Sequence, residues 1–120
     1  MPFNVRFTAS AREDLREIRA YIAASDSREN ADYVAREIVR AVLELRDFPH
    51  RGAHPPDLLK RGNRSYWQIF FKPYLILYRI RAHTVFIGAI ADGRRDLDAL
   101  LVRQTRDSST GPGSESKFEG

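Results

Sequence analysis

The chain has no cysteine, which excludes disulfides, a thiolate nucleophile and any cysteine-ligated metal. Only His50, His54 and His83 remain as imidazole ligands, and no cofactor is expected. No stretch approaches the ~18 apolar residues that a membrane helix requires. Met1-Pro2-Phe3-Asn4 leads straight into strand-like sequence, without the basic and apolar regions of a secretion signal. A soluble, cytoplasmic protein with no membrane partner is therefore expected. Acids are missing too: from Leu58 to Ala91 there is no Asp or Glu, while Lys60, Arg61, Arg64, Lys72, Arg79 and Arg81 all carry positive charge. Strands disfavour acids in any case, but that preference does not account for the cations.

What is present is arginine, 17 of the 20 basic residues, giving a net charge of +4 and a pI near 9.8. Its planar fork suits phosphate and carboxylate, so the partner is anionic, either nucleic acid or an acidic protein. With 120 residues and 42% apolar content, the chain can bury one modest core.

Phe3, Val5 and Phe7 alternate with polar residues, the period of a half-buried strand. Ser10 to Glu13 reads as a capping box that starts a helix with Leu15, Ile18 and Ile22 on one face. Turn residues from Ser25 to Glu29 stop it and offer the next N-cap. In the second helix Ala31, Val34, Ile38, Val42 and Leu45 fall at spacings of three and four, and Pro49 ends it. Residues 50–63, with Gly52, Pro55, Pro56 and Gly62, read as a loop with a short strand piece near Leu58 and Leu59. Strands at 65–71, 74–81 and 84–91 form an antiparallel meander, and Asp96 caps a last short helix carrying Leu97, Leu100 and Leu101. The fold class is α+β: a strand, a two-helix hairpin, a three-strand meander and a C-terminal helix. Residues 1–107 make one domain, and the breaker-rich segment 108–120 is a disordered tail or a cloning remnant.

In the strand 74–81, Tyr74, Ile76, Tyr78 and Ile80 share one face, and Leu75, Leu77, Arg79 and Arg81 share the other. Two charges on the odd face turn it outward, leaving Leu75 and Leu77 as apolar residues beside arginines. Such a patch marks a protein-binding surface, the alternative being that the last helix, with Leu97, Leu100 and Leu101, folds over it within the monomer. Catalytic chemistry is scarce. His50 and His54 stand in a proline-broken loop with no third ligand near them, Asp92-Gly93-Arg94-Arg95 lacks the glycine spacing of a phosphate loop, and no acid pair stands out.

Three segments go further: Phe71-Lys72-Pro73-Tyr74-Leu75-Ile76-Leu77-Tyr78-Arg79-Ile80, the strand ending in Asp92-Gly93-Arg94-Arg95-Asp96, and Leu100-Leu101 after it. They resemble the RelE/ParE toxin superfamily, more its ParE (plasmid stabilisation) branch, and the element order is similar from about Phe3 to Arg106. The resemblance implies a toxin of a type II toxin–antitoxin system. A cognate antitoxin, whose disordered tail folds on binding, would neutralise it in a hetero-oligomeric complex. RelE-like members cut messenger RNA on the ribosome; ParE-like members are described as inhibitors of DNA gyrase. The ribonuclease branch uses lysines in the strand that here holds Trp67 and Ile69, an arginine at the place of Leu75, and a tyrosine or histidine at the place of Leu101; only Arg95 matches. Each such group contributes ~10²-fold or more to rate, so the resemblance implies a gyrase inhibitor without catalytic residues. The alternatives are a ribosome-dependent ribonuclease using Arg95 and a plain nucleic-acid-binding module. Trp67, Leu75 and Leu77 are the expected antitoxin contacts, and Arg79, Arg81, Arg94 and Arg95 the expected target contacts.

Overall fold

The computed structural model describes residues 2–93 and 97–108. Its elements are β1 (Asn4–Phe7), α1 (Ala9–Ser25), α2 (Arg28–Leu43) running into a 3-10 turn (Glu44–Arg46), α3 (Pro56–Lys60), β2 (Trp67–Phe71), β3 (Tyr74–Arg81), β4 (Thr84–Asp92) and α4 (Leu97–Ser108). The sheet order is β1-β4-β3-β2. The expected meander forms its antiparallel part, and β1 joins the far side of β4 in parallel.

That pairing moves the start of α1. Thr8 N–H donates to the carbonyl of Ile87 at 3.0 Å, which holds Thr8 extended, and its Oγ1 accepts from Ala11 N–H at 3.1 Å. Thr8 is therefore the N-cap, not Ser10 as the capping-box pattern predicts, because the sheet sets where the chain can turn. Ser27 caps α2 by accepting from Asn30 N–H at 3.0 Å. The strand piece expected near Leu58 is instead a helical turn: Pro56 occupies its first position, where a missing amide costs nothing, and Leu58 is buried. The tail expected from 108 lies outside the described residues except for Ser108, which ends α4.

Two apolar layers flank the sheet. On the helix side, Ile38, Val42 and Leu45 pack with Ile69, Ile76, Tyr78, Val85, Ile87 and Ile90. Burying each large side chain is worth about 1.5–3 kcal/mol, so this layer dominates stability. Val85, Ile87 and Ile90 cannot share one face of a regular strand. They do so here because the register passes from Tyr78↔Ile87 to Leu77↔Ala89, leaving Gly88 as an extra residue that reverses the alternation.

The other layer corrects an expectation. Leu75 and Leu77 do lie on the outer face, but Leu100 of α4 packs on them together with Ala89 and Ala91. Leu77 is fully buried and Leu75 is 8% exposed, so the apolar patch is sealed by the chain's own C-terminal helix. Leu100 reaches this seam beside Ala89 and Ala91, whose small side chains leave room for α4 close to the strand.

Side chains tie α4 down. Gln104 Nε2 donates to Gly88 O at 2.9 Å, and Arg103 makes a two-pronged pair with Asp14 of α1 at 2.9 and 2.8 Å. A Cβ on Gly88 would collide with the Gln104 carboxamide, which is itself buried and cannot swing aside without giving up its bond. Gly88→Ala should therefore cost about 1–3 kcal/mol in urea unfolding. Adding Gln104→Ala to the same chain should recover part of the packing loss; full stability of the single variant would show that α4 is not seated on β4.

Candidate functional site

Trp67 stands at the head of β2 on the helix-side face, with Ile69 and Phe71, not with Leu75 and Leu77. The expected grouping of these three residues is corrected accordingly: β2 pairs Trp67 with Tyr78, and both face the helices. The loop before β2 wraps this indole. His54 lies 4.2 Å and His50 5.2 Å from it by ring centroids, and the His54 Nδ1–H donates to Tyr66 O at 2.9 Å. Tyr78 anchors the loop from beneath, donating to Pro49 O at 2.9 Å and accepting from Gly52 N–H at 3.2 Å. Gly52 is needed for that approach, since a Cβ there would strike Gln68 O and Tyr78 Oη. The histidines are thus packing groups around Trp67, and among the described residues no set of three or more His, Asp or Glu could hold a metal.

An open cleft of about 960 Å³ runs between α1 and α2. Leu15, Ala35, Val39 and Leu43 form its apolar floor, and five arginines, Arg12, Arg16, Arg19, Arg36 and Arg40, stand along it against one lining acid, Asp32. Arg19 Nε donates to Asp32 at 2.9 Å, Arg16 pairs with Glu13, and Arg40 reaches Glu37 at 3.4 Å. These pairs are largely solvent-exposed, so an incoming carboxylate can displace them at small cost. An apolar floor between guanidinium rims is complementary in charge and polarity to an acidic amphipathic surface. The sequence points to helix grooves as antitoxin contacts in general without choosing these arginines, although their signal is visible there: Arg12, Arg16 and Arg19, and Arg36 and Arg40, recur at helical spacing.

Of the expected target contacts, Arg79 and Arg81 sit on the outer face of β3, and Arg79 Cζ lies 5.7 Å above the Tyr66 ring. Arg94 and Arg95 lie outside the described residues. Neither Arg79 nor Arg81 lines the helix groove, so the described cations fall on two separate surfaces.

A mixed sheet backed by a helical hairpin and roofed by a C-terminal helix defines a small toxin fold. Residues 5–97 match the family model of the ParE toxin of type II toxin–antitoxin systems (parDE), and the chain belongs to that family. Two solved structures share the fold. One is a chromosomal ParDE toxin–antitoxin system from P. aeruginosa, with 20% identity, a TM-score of 0.64, and coverage of 75% of this chain and 95% of that one. The other is the toxin–antitoxin complex RelBE2 from Mycobacterium tuberculosis, with 25% identity, a TM-score of 0.57, and coverage of 77% and 99%. No significant match was found among curated proteins. No described helix is long and apolar enough to cross a membrane.

Tyr78 gives a pH-dependent readout of this architecture. Burial pushes its phenol above the ordinary value, partly offset by the Gly52 amide and by Arg51. The folded state thus holds the proton more tightly than the unfolded chain. The stabilisation is complete below the ordinary tyrosine range near pH ~10 and is lost as pH rises through the folded value. Denaturant unfolding should show stability declining above pH ~10. Tyr78→Phe should lose about 1–3 kcal/mol at neutral pH, because Gly52 N–H is left without its acceptor, and should flatten the alkaline decline. Some decline remains from Tyr74, also raised by burial and by Asp92 and Tyr21.

Proposed function

We propose that this ParE-type toxin is neutralised by a cognate antitoxin whose acidic amphipathic segment lies in the α1–α2 groove, and that the free toxin inhibits DNA gyrase in the cytoplasm. The observation that carries the antitoxin reading is the pairing of an apolar floor with five arginines in one open cleft. The solved structures of similar fold are described as toxin–antitoxin systems, which supports a partner of this kind and a hetero-oligomeric complex. Contact through Leu75 and Leu77 requires α4 to leave its seam, and contact through Trp67 requires entry from the His50–His54 side.

The gyrase reading is supported by family membership and by what occupies the ribonuclease positions. Trp67 and Ile69 face the helix-side core, and Leu75 lies under α4, so none presents a cation or a proton donor to a phosphate. Arg79, Arg81, Arg94 and Arg95 are the proposed target contacts, Arg95 being the one residue that the resemblance matches to the ribonuclease constellation.

Antitoxin-free protein should block supercoiling by purified gyrase and raise the yield of gyrase-linked DNA breaks; unchanged supercoiling and breakage reject the target. Ribosome-dependent message cleavage lost in Arg95→Ala would transfer the assignment to the ribonuclease branch. For the groove, Arg16→Glu with Arg36→Glu should weaken binding of the antitoxin from the adjoining reading frame at least about tenfold, mainly through slower association. Surface plasmon resonance at two salt concentrations measures this, and unaltered kinetics would place the antitoxin elsewhere.

A further inference from the structure

The cleft between α1 and α2 continues past its apolar floor. A second hollow of about 360 Å³ follows the same seam, lined by Ala20, Ala23 and Ala31 with Arg28 at its end. Arg16, Arg19 and Asp32 line both hollows, so the two meet at the Arg19–Asp32 pair, which straps α1 to α2 across the seam. Asp32 is the one acid among the residues that line either hollow. Along α2 it stands one turn, about 6 Å, from Arg28 and about 16 Å from Leu43.

Arg19 Nε and Nη2 both donate to a single oxygen, Asp32 Oδ1, at 2.9 and 2.5 Å. A guanidinium edge is better met by two carboxylate oxygens in parallel bonds. Both side chains reach water, so the pair adds little to stability and one carboxylate can replace another at small cost. What then opposes an acidic occupant is the like charge of Asp32 itself.

We infer that Asp32 holds the place of a partner carboxylate on Arg19 and thereby sets the register of the segment that the groove receives. The inference rests on the antitoxin reading of the groove and specifies the occupant. It is an amphipathic helix with one Asp or Glu aligned on Arg19 and an apolar face that runs about three turns from it, over Leu15, Val39 and Leu43. On docking, the incoming carboxylate takes both donors of the guanidinium edge and Asp32 turns to water. A nucleic-acid strand also offers anions to Arg19, but its phosphates bring no apolar face for the floor.

Fluorescence anisotropy with two labelled helical peptides of about 16 residues, titrated with the full chain, tests this. Each carries leucines along three turns of one face and a glutamate one turn beyond them, at the N-terminal end in one peptide and the C-terminal end in the other. The tighter of the two should bind Asp32→Asn about three- to fivefold more strongly than the parent. Glu17→Gln makes the same change in net charge on α1 outside both hollows and should leave affinity unaltered. Exchanging the peptide's glutamate for glutamine should weaken binding to the parent at least about threefold, and Arg19→Gln should abolish that preference. Equal urea midpoints establish that each variant is folded. The proposal is overturned if neither peptide binds, if Asp32→Asn binds no more tightly than the parent, or if Glu17→Gln gains as much. It is also overturned if the preference for glutamate survives Arg19→Gln, or if an oligonucleotide of equal charge matches the peptide. Arg16→Glu with Arg36→Glu reports on the groove itself: if that variant loses the antitoxin while Asp32→Asn leaves peptide affinity unaltered, the role of Asp32 is rejected and the groove stands.

Discussion

The carboxylate of Asp14 holds three parts of this protein in one arrangement. β1 accompanies β4 only as far as Ile87, so the backbone beyond faces an edge without a neighbouring strand. Asp14, itself 7% exposed, accepts from Ile90 N–H at 3.0 Å on that edge and receives both prongs of Arg103 from α4. Gly88 O accepts from Arg103 at 3.1 Å as well as from Gln104. The chain thus closes the open end of β4 with side chains from its second and its last elements. An ion pair this enclosed adds little net stability over an apolar substitute, but losing one partner strands the other charge at a cost of about 3–5 kcal/mol. Its main effect is to dictate position: α4 can settle over the outer leucines only where Arg103 meets Asp14.

That placement divides the outer face of the sheet. One end is apolar, capped by α4; the other carries Arg79 and Arg81 on β3. The opposite face is filled by α1 and α2, whose own exposed side offers the basic groove. The described cations therefore fall on two faces, the α1–α2 cleft and the outer side of β3.

The strands and the helical hairpin were legible because their apolar periods are clean: β3 runs over Tyr74–Arg81 as its alternation predicts, and Tyr78 and Ile76 face the helices as parity requires. The roof over Leu75 and Leu77 was not legible. Nothing local to β3 distinguishes leucines awaiting a partner from leucines awaiting a helix some twenty residues later. The side of Trp67 was equally hidden, since both faces of β2 are apolar and only pairing with Tyr78 decides between them. The shift of α1's cap to Thr8 and the bulge at Gly88 share one cause, the docking of the first strand on the last, a contact between distant residues that no short window contains. The groove arginines went unremarked because a basic residue on a helix looks the same whether it faces water or a cleft.

The parallel union of Asn4–Phe7 with Thr84–Ile87 has a temporal side. During synthesis the opening segment leaves the ribosome long before its mate exists, and α1 and α2 follow with no layer to lie against. Contacts between residues so far apart along the chain form late and slowly. The polypeptide therefore acquires its toxic shape only after almost all of it has been translated. Until then the two helices lack the sheet against which their apolar faces pack.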